Sequence, residues 1–193
     1  FTTSALSTFL PSGLIGHWDF ENGSLSDKTG NWSDLTLNTN TSVVDGKLDL
    51  NPGSLAKTTT YSGSTIKEKT LVSYVELQNL SARAGSILTI DGQGTTDNFD
   101  AIVFAERQVH RWMAGSSYFR RTINPTPGFA ETTAGEKVMM AITYKETSNG
   151  QASIKIYRNG IEIGRYTKGA IANWSSGNGE VLFGARHTLP SLR

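Results

Sequence analysis

Between Phe99 and Thr122 the chain gathers Arg107, Arg111, Arg120, Arg121 and His110 with Trp112, Tyr118 and Phe119. Guanidinium groups donate in a planar fork to hydroxyl or acidic substituents, and aromatic faces stack on the apolar faces of sugar rings, so this composition suits a glycan. Arg111, Trp112, Tyr118, Arg120, Trp32, Trp174 and Arg186 form the candidate ligand-binding set. The competing reading is that Trp18 and Trp112 fill a core while the arginines pair with Glu76, Glu106 or Glu131, since a domain of this size needs large aromatic core residues.

A second constellation concerns metal. Glu21, Asn22, Asp27 and Asn31 supply carboxylate and amide oxygens within one short stretch, the donors that calcium takes, and calcium is the candidate cofactor. The competing reading is that Asp and Asn occupy turns for backbone reasons. His17 and His187 read as structural rather than as ligands. No Ser/His/Asp set, phosphate-binding glycine loop or His-pair zinc spacing is present. The absence of cysteine excludes disulfides and thiolate metal sites without fixing the compartment.

The elements that must position these residues are strands. Leu14–Phe20 alternates, with Leu14, Gly16, Trp18 and Phe20 on an apolar face. Short strands are expected at 34–37, 43–50, about 54–60, 69–77 and 86–91, two or three more within 99–122, and then 137–144, 152–157 and 161–166. Asn159-Gly160 supplies the two left-handed residues of a type I′ hairpin. No segment keeps a helical period. Many short strands separated by turn residues predict an antiparallel two-sheet β-sandwich.

The chain has 193 residues with a formal net charge of +1, so one domain is expected and no global field draws it to nucleic acid. No apolar run approaches the roughly 20 residues that span a bilayer. The 20 glycines, abundant Ser, Thr and Asn, and few charged residues describe a turn-rich domain of extracellular or cell-surface type. A start at Phe1 fits a removed signal peptide, excision from a longer chain or simple trimming.

Four motifs carry a family resemblance. GLIGHWDFENGSLSDKTGN, FDAIVFAE with RWMAGS and FRRT, IKIYRNGIEIGRY, and VLFGARH together resemble the laminin G-like, concanavalin A-like jelly-roll modules of secreted or surface proteins of planctomycete-type bacteria. The resemblance spans nearly all of 14–187 and implies an all-β jelly roll over 14–193, preceded by an arm or edge strand at 1–13. In such modules a further strand follows the Gly-x-Arg-His motif. Here the chain ends at Arg193, so the final strand is expected to be lacking and a sheet edge to be open.

The fold hosts enzymes and binders alike, so function rests on residues. Retaining glycosidases need two carboxylates about 5–5.5 Å apart, on one strand face in this fold. No Glu-x-Asp-x-x-Glu run exists, and the acidic pairs Asp19/Glu21 and Asp97/Asp100 sit at turns. Gln108-Val109-His110 and Ala114 to Tyr118 resemble fragments of an alginate lyase signature, but they nearly touch in sequence and the arginine-rich strand is missing; coincidence is the reading adopted. The expectation is a non-catalytic recognition or adhesion module that binds polysaccharide or another cell-surface glycan. The alternative is a structural subunit forming homo-oligomers through an open sheet edge and the N-terminal arm.

Overall fold

The computed structural model describes residues 12–81, 83, 85–94, 98–117 and 125–188. Most of the expected N-terminal arm, Tyr118, Arg120 and the tail from 189 lie outside them. Thirteen strands are present among the described residues: β1 (Thr36–Leu37), β2 (Thr41–Val44), β3 (Lys47–Leu50), β4 (Ala56–Lys57), β5 (Lys69–Glu76), β6 (Gly85–Gly92), β7 (Phe99–Phe104), β8 (Trp112–Ser116), β9 (Thr126–Pro127), β10 (Lys137–Glu146), β11 (Gln151–Arg158), β12 (Ile161–Ala170) and β13 (Gly179–Phe183). They form a six-stranded sheet in the order β1-β4-β13-β6-β7-β8 and a five-stranded sheet in the order β5-β10-β11-β12-β9, with β2 and β3 as a separate hairpin. Every pairing is antiparallel, and the architecture is an all-β jelly-roll sandwich.

The two sheets pack through alternate residues. Ile102, Phe104, Trp112 and Ala114 meet Met140, Ile142, Tyr144, Ile154 and Ile156 in one core cluster. An ion pair lies between the layers: Lys69 Nζ is 2.9 Å from Asp100 Oδ2, with both side chains buried. The ammonium also sits 4.7 Å from the Tyr144 ring centre and 4.4 Å from that of Trp174, so the charge is held by a carboxylate and two π faces. The opposite face of the six-stranded sheet is covered as well, where Phe99, Ala101, Val103 and Met113 form a second buried cluster.

Two expectations are corrected. Leu14–Phe20 forms no strand, because loop side chains capture its backbone. Asp27 Oδ1 accepts the His17 N–H at 2.8 Å, and the Ile15 carbonyl accepts from Thr29 Oγ1, Asn31 Nδ2 and Trp32 Nε1 at 2.8 to 3.0 Å. Residues 43–50 are not one strand either. Asp45 and Gly46 both take positive φ, 49° and 72°, and fold 41–50 into the β2–β3 hairpin. The expected lack of a final strand concerns the chain after 188, which lies outside the described residues. β13 lies inside its sheet, between β4 and β6.

Candidate functional site

The tryptophans expected to form a platform are in the core. Trp112 and Trp174 are each 1% exposed and Trp32 is 7% exposed. Trp112 packs on Phe104 and donates Nε1–H to Glu131 Oε1 at 2.6 Å, while Trp32 packs on Tyr61. For Trp112 the reason is that β7 and β8 are buried on both faces, so neither face of these strands offers a ring to a ligand. Arg186 pairs with Glu106 at 2.6 Å. Arg111 is half-buried, and its guanidinium packs so closely over Gly128 that a Cβ there would meet Nη1 at 2.5 Å. Tyr118 and Arg120 lie outside the described residues. The arginine paired with Glu131 is one the sequence reading did not choose: Arg158 donates from Nε and Nη2 to the two carboxylate oxygens at 2.8 and 3.0 Å.

The four oxygen donors considered for calcium are likewise occupied with the backbone or apart from it. Asp27 Oδ1 accepts from the N–H groups of His17 and Thr29, and Oδ2 from those of Asn31 and Trp32. Four donors fill the roughly four lone-pair sites of a carboxylate. Asn31 turns its amide nitrogen inward to Ile15 and Thr29, and Glu21 and Asn22 are exposed on a tight turn. Asp27 is therefore a loop organiser. Among the described residues no group of three or more His, Cys, Asp or Glu side chains has the geometry for a metal ion.

A buried polar cluster that sequence reasoning did not assemble lies where β6 meets β13. Asp91 and Glu180 are directly opposite each other in the ladder. His187 Nδ1 is 2.7 Å from Asp91 Oδ2, the Thr188 N–H donates to the same oxygen at 3.1 Å, and Thr188 Oγ1 donates to Glu180 at 2.8 Å. Burial pushes the Asp91 carboxyl up to about 6, against the opposing pull of His187. Two facing carboxylates and an imidazole are acid–base groups, yet Asp91 and His187 are fully buried and Glu180 nearly so. Their evident work is to fasten residues 184–188 across the sheet.

The outer face of the five-stranded sheet is where rings and cations reach solvent. Met140, Ile142 and Tyr144 of β10 and Ile154 and Ile156 of β11 point into the core, so the intervening residues point away from it. Tyr74 is 68% exposed and Val72 47%. Across the ladders Tyr74 lies beside Met139, and Val72 beside Ala141, which in turn lies beside Tyr157. Lys137 Nζ stands 5.5 Å from the Tyr74 ring centre. Lys155 adjoins Thr143 on one side and Arg165 on the other. The result is an apolar and aromatic strip bordered by cations and hydroxyls. Alternation in 69–77 separates the two faces of β5, but Leu71 and Val75 are as apolar as Val72 and Tyr74, so the outward face is not marked in the sequence.

No family model matches the chain, and no curated protein matches it in sequence. Among solved structures it is similar to the carbohydrate recognition domain of Emp46p, with a TM-score of 0.41 and 13% identity over 78% of this chain and 80% of that one. It is also similar to the alginate lyase Aly36B, solved with an alginate tetrasaccharide, with a TM-score of 0.38 and 12% identity over 80% of this chain and 83% of that one.

Proposed function

We propose that the chain is a non-catalytic recognition module of the laminin G-like kind, binding polysaccharide or another glycan in an extracellular or cell-surface setting. The observation that carries this reading is the solvent-facing strip of the five-stranded sheet, with Tyr74 and Val72 outward and Lys137, Lys155 and Arg165 around it. An exposed tyrosine ring stacks on a sugar face, and the neighbouring cations donate to hydroxyl or acidic substituents. The reading moves the expected site from the arginine-rich stretch to another sheet but keeps its ligand class. Against catalysis stands the engagement of the buried acids: Asp100 with Lys69, Glu131 with Arg158, and Asp91 with His187.

Glycan-array screening followed by titration of the best glycan tests the proposal. Tyr74→Ala is expected to weaken binding by about tenfold, the equivalent of about 1.4 kcal/mol, with an unchanged circular dichroism spectrum. Arg165→Ala should weaken an acidic glycan more than a neutral one. Undiminished binding by both variants would remove this face as the site.

A further inference from the structure

Among the described residues the two sheets end in four edges, and β5 differs from the other three. β1 and β9 are two residues long, and β9 is flanked and closed by Pro125 and Pro127, which carry no N–H to offer. At the start of β8, Arg111 already bridges to Ala130. By contrast β5 runs for eight residues, stays in register with β10 without a bulge, and contains no proline. Its charges are confined to the two ends, Lys69 and Glu76. Among the described residues nothing pairs with the other side of Thr70–Val75. A long, uncharged, regular edge is a template for another strand.

We infer that the strand it takes is β5 of a second copy, antiparallel to it about a two-fold axis at Ser73. Directly opposite residues of an antiparallel pair share a face, so this axis sets Val72 against the partner's Tyr74 on the outer side and Leu71 against the partner's Val75 on the inner side. Each apolar residue then meets an apolar one, and Thr70 meets the partner's Glu76. Moving the axis by one residue loses this match: at Val72 it sets Leu71 against Ser73, and at Tyr74 it sets Val72 against Glu76. The self-complementarity identifies the occupant as this same strand, and a net charge of +1 does little to oppose its approach. Joined in this way, two five-stranded sheets form one continuous sheet. The inference rests on the edge and is independent of the glycan proposal.

The chain has no cysteine, so single-cysteine variants read the geometry cleanly. Opposed residues at the axis have Cα atoms about 4.5–5.5 Å apart, within the range a disulfide accepts. Ser73→Cys, oxidised without glycan, is expected to form a disulfide dimer about tenfold faster than Lys145→Cys, which is exposed on β10 away from the edge. Ser73→Lys places like charges opposite each other and is expected to shift the sedimentation of the otherwise wild-type chain from dimer to monomer. Equal cross-linking rates at the two positions, or a wild-type chain that sediments as a monomer at every concentration, would overturn the inference. Neither readout uses a glycan, so a failed glycan proposal leaves both results interpretable.

Discussion

Asp91 shows what a single buried carboxylate does to stability. Desolvation holds its pKa at about 6 in the fold, against an ordinary 3.8, in spite of the imidazole beside it. Between those values the folded chain binds more protons than the unfolded chain. Stability therefore falls as pH rises from about 4 to about 6 and levels off above. A shift of this size corresponds to about 3 kcal/mol at most. Asp91→Asn keeps an oxygen to accept from Thr188 and removes the charge, so its unfolding free energy is expected to lose that slope. Urea titrations of both chains at pH 4, 5, 6 and 7 measure it. Parallel curves across the window would show that Asp91 is not the group responsible.

At the scale of elements, Gly184 is the pivot at which the chain leaves β13 and turns back over the sheet. Its φ is +88°, and a Cβ there would lie 2.4 Å from the carbonyl oxygen of Ser54. Gly184→Ala combines left-handed strain with a clash against backbone, which is expected to cost about 2–4 kcal/mol, read as a lower urea midpoint. The same variant should loosen 184–188, seen as faster amide exchange at Thr188. Such features explain which elements were legible in the sequence. β5, β10 and the β11–β12 hairpin follow from alternation and Asn159-Gly160, because their ladders are set by local residues. The apparent strand at 14–20 is misread because Asp27, Thr29, Asn31 and Trp32 take the groups a ladder would use, a contest that alternation does not register. The exposure of the candidate rings was hidden for a related reason. Trp112 and Tyr74 look alike as ring-bearing strand residues, and only the covering of both faces of the six-stranded sheet separates a core ring from an exposed one.

For the molecule as a whole, the two layers are held by apolar packing and by charged ties: Lys69 pairs directly with Asp100, and Glu131 links Arg158 of β11 to Trp112 of β8. Interdigitated packing already resists sliding between the sheets, and an ion pair buried between them adds a directional contact. Asp100 also accepts from Ser116 Oγ, so the tie reaches from β5 through β7 to β8. Removing one partner leaves the other charged in the core. Lys69→Met is accordingly expected to cost about 3–5 kcal/mol in urea unfolding. Adding Asp100→Asn, which keeps an acceptor for Ser116 and discharges the carboxyl, should recover most of that loss. Because the pair is shielded from solvent, raising the salt concentration should leave the difference unchanged. Lys69 is also the first residue of β5, so the single variant should fray the strand that carries Val72 and Tyr74, weakening glycan binding and Ser73→Cys cross-linking together, while the double variant restores both. A single variant with a cost below about 1 kcal/mol would show that the Lys69–Asp100 pair does little to register the sheets.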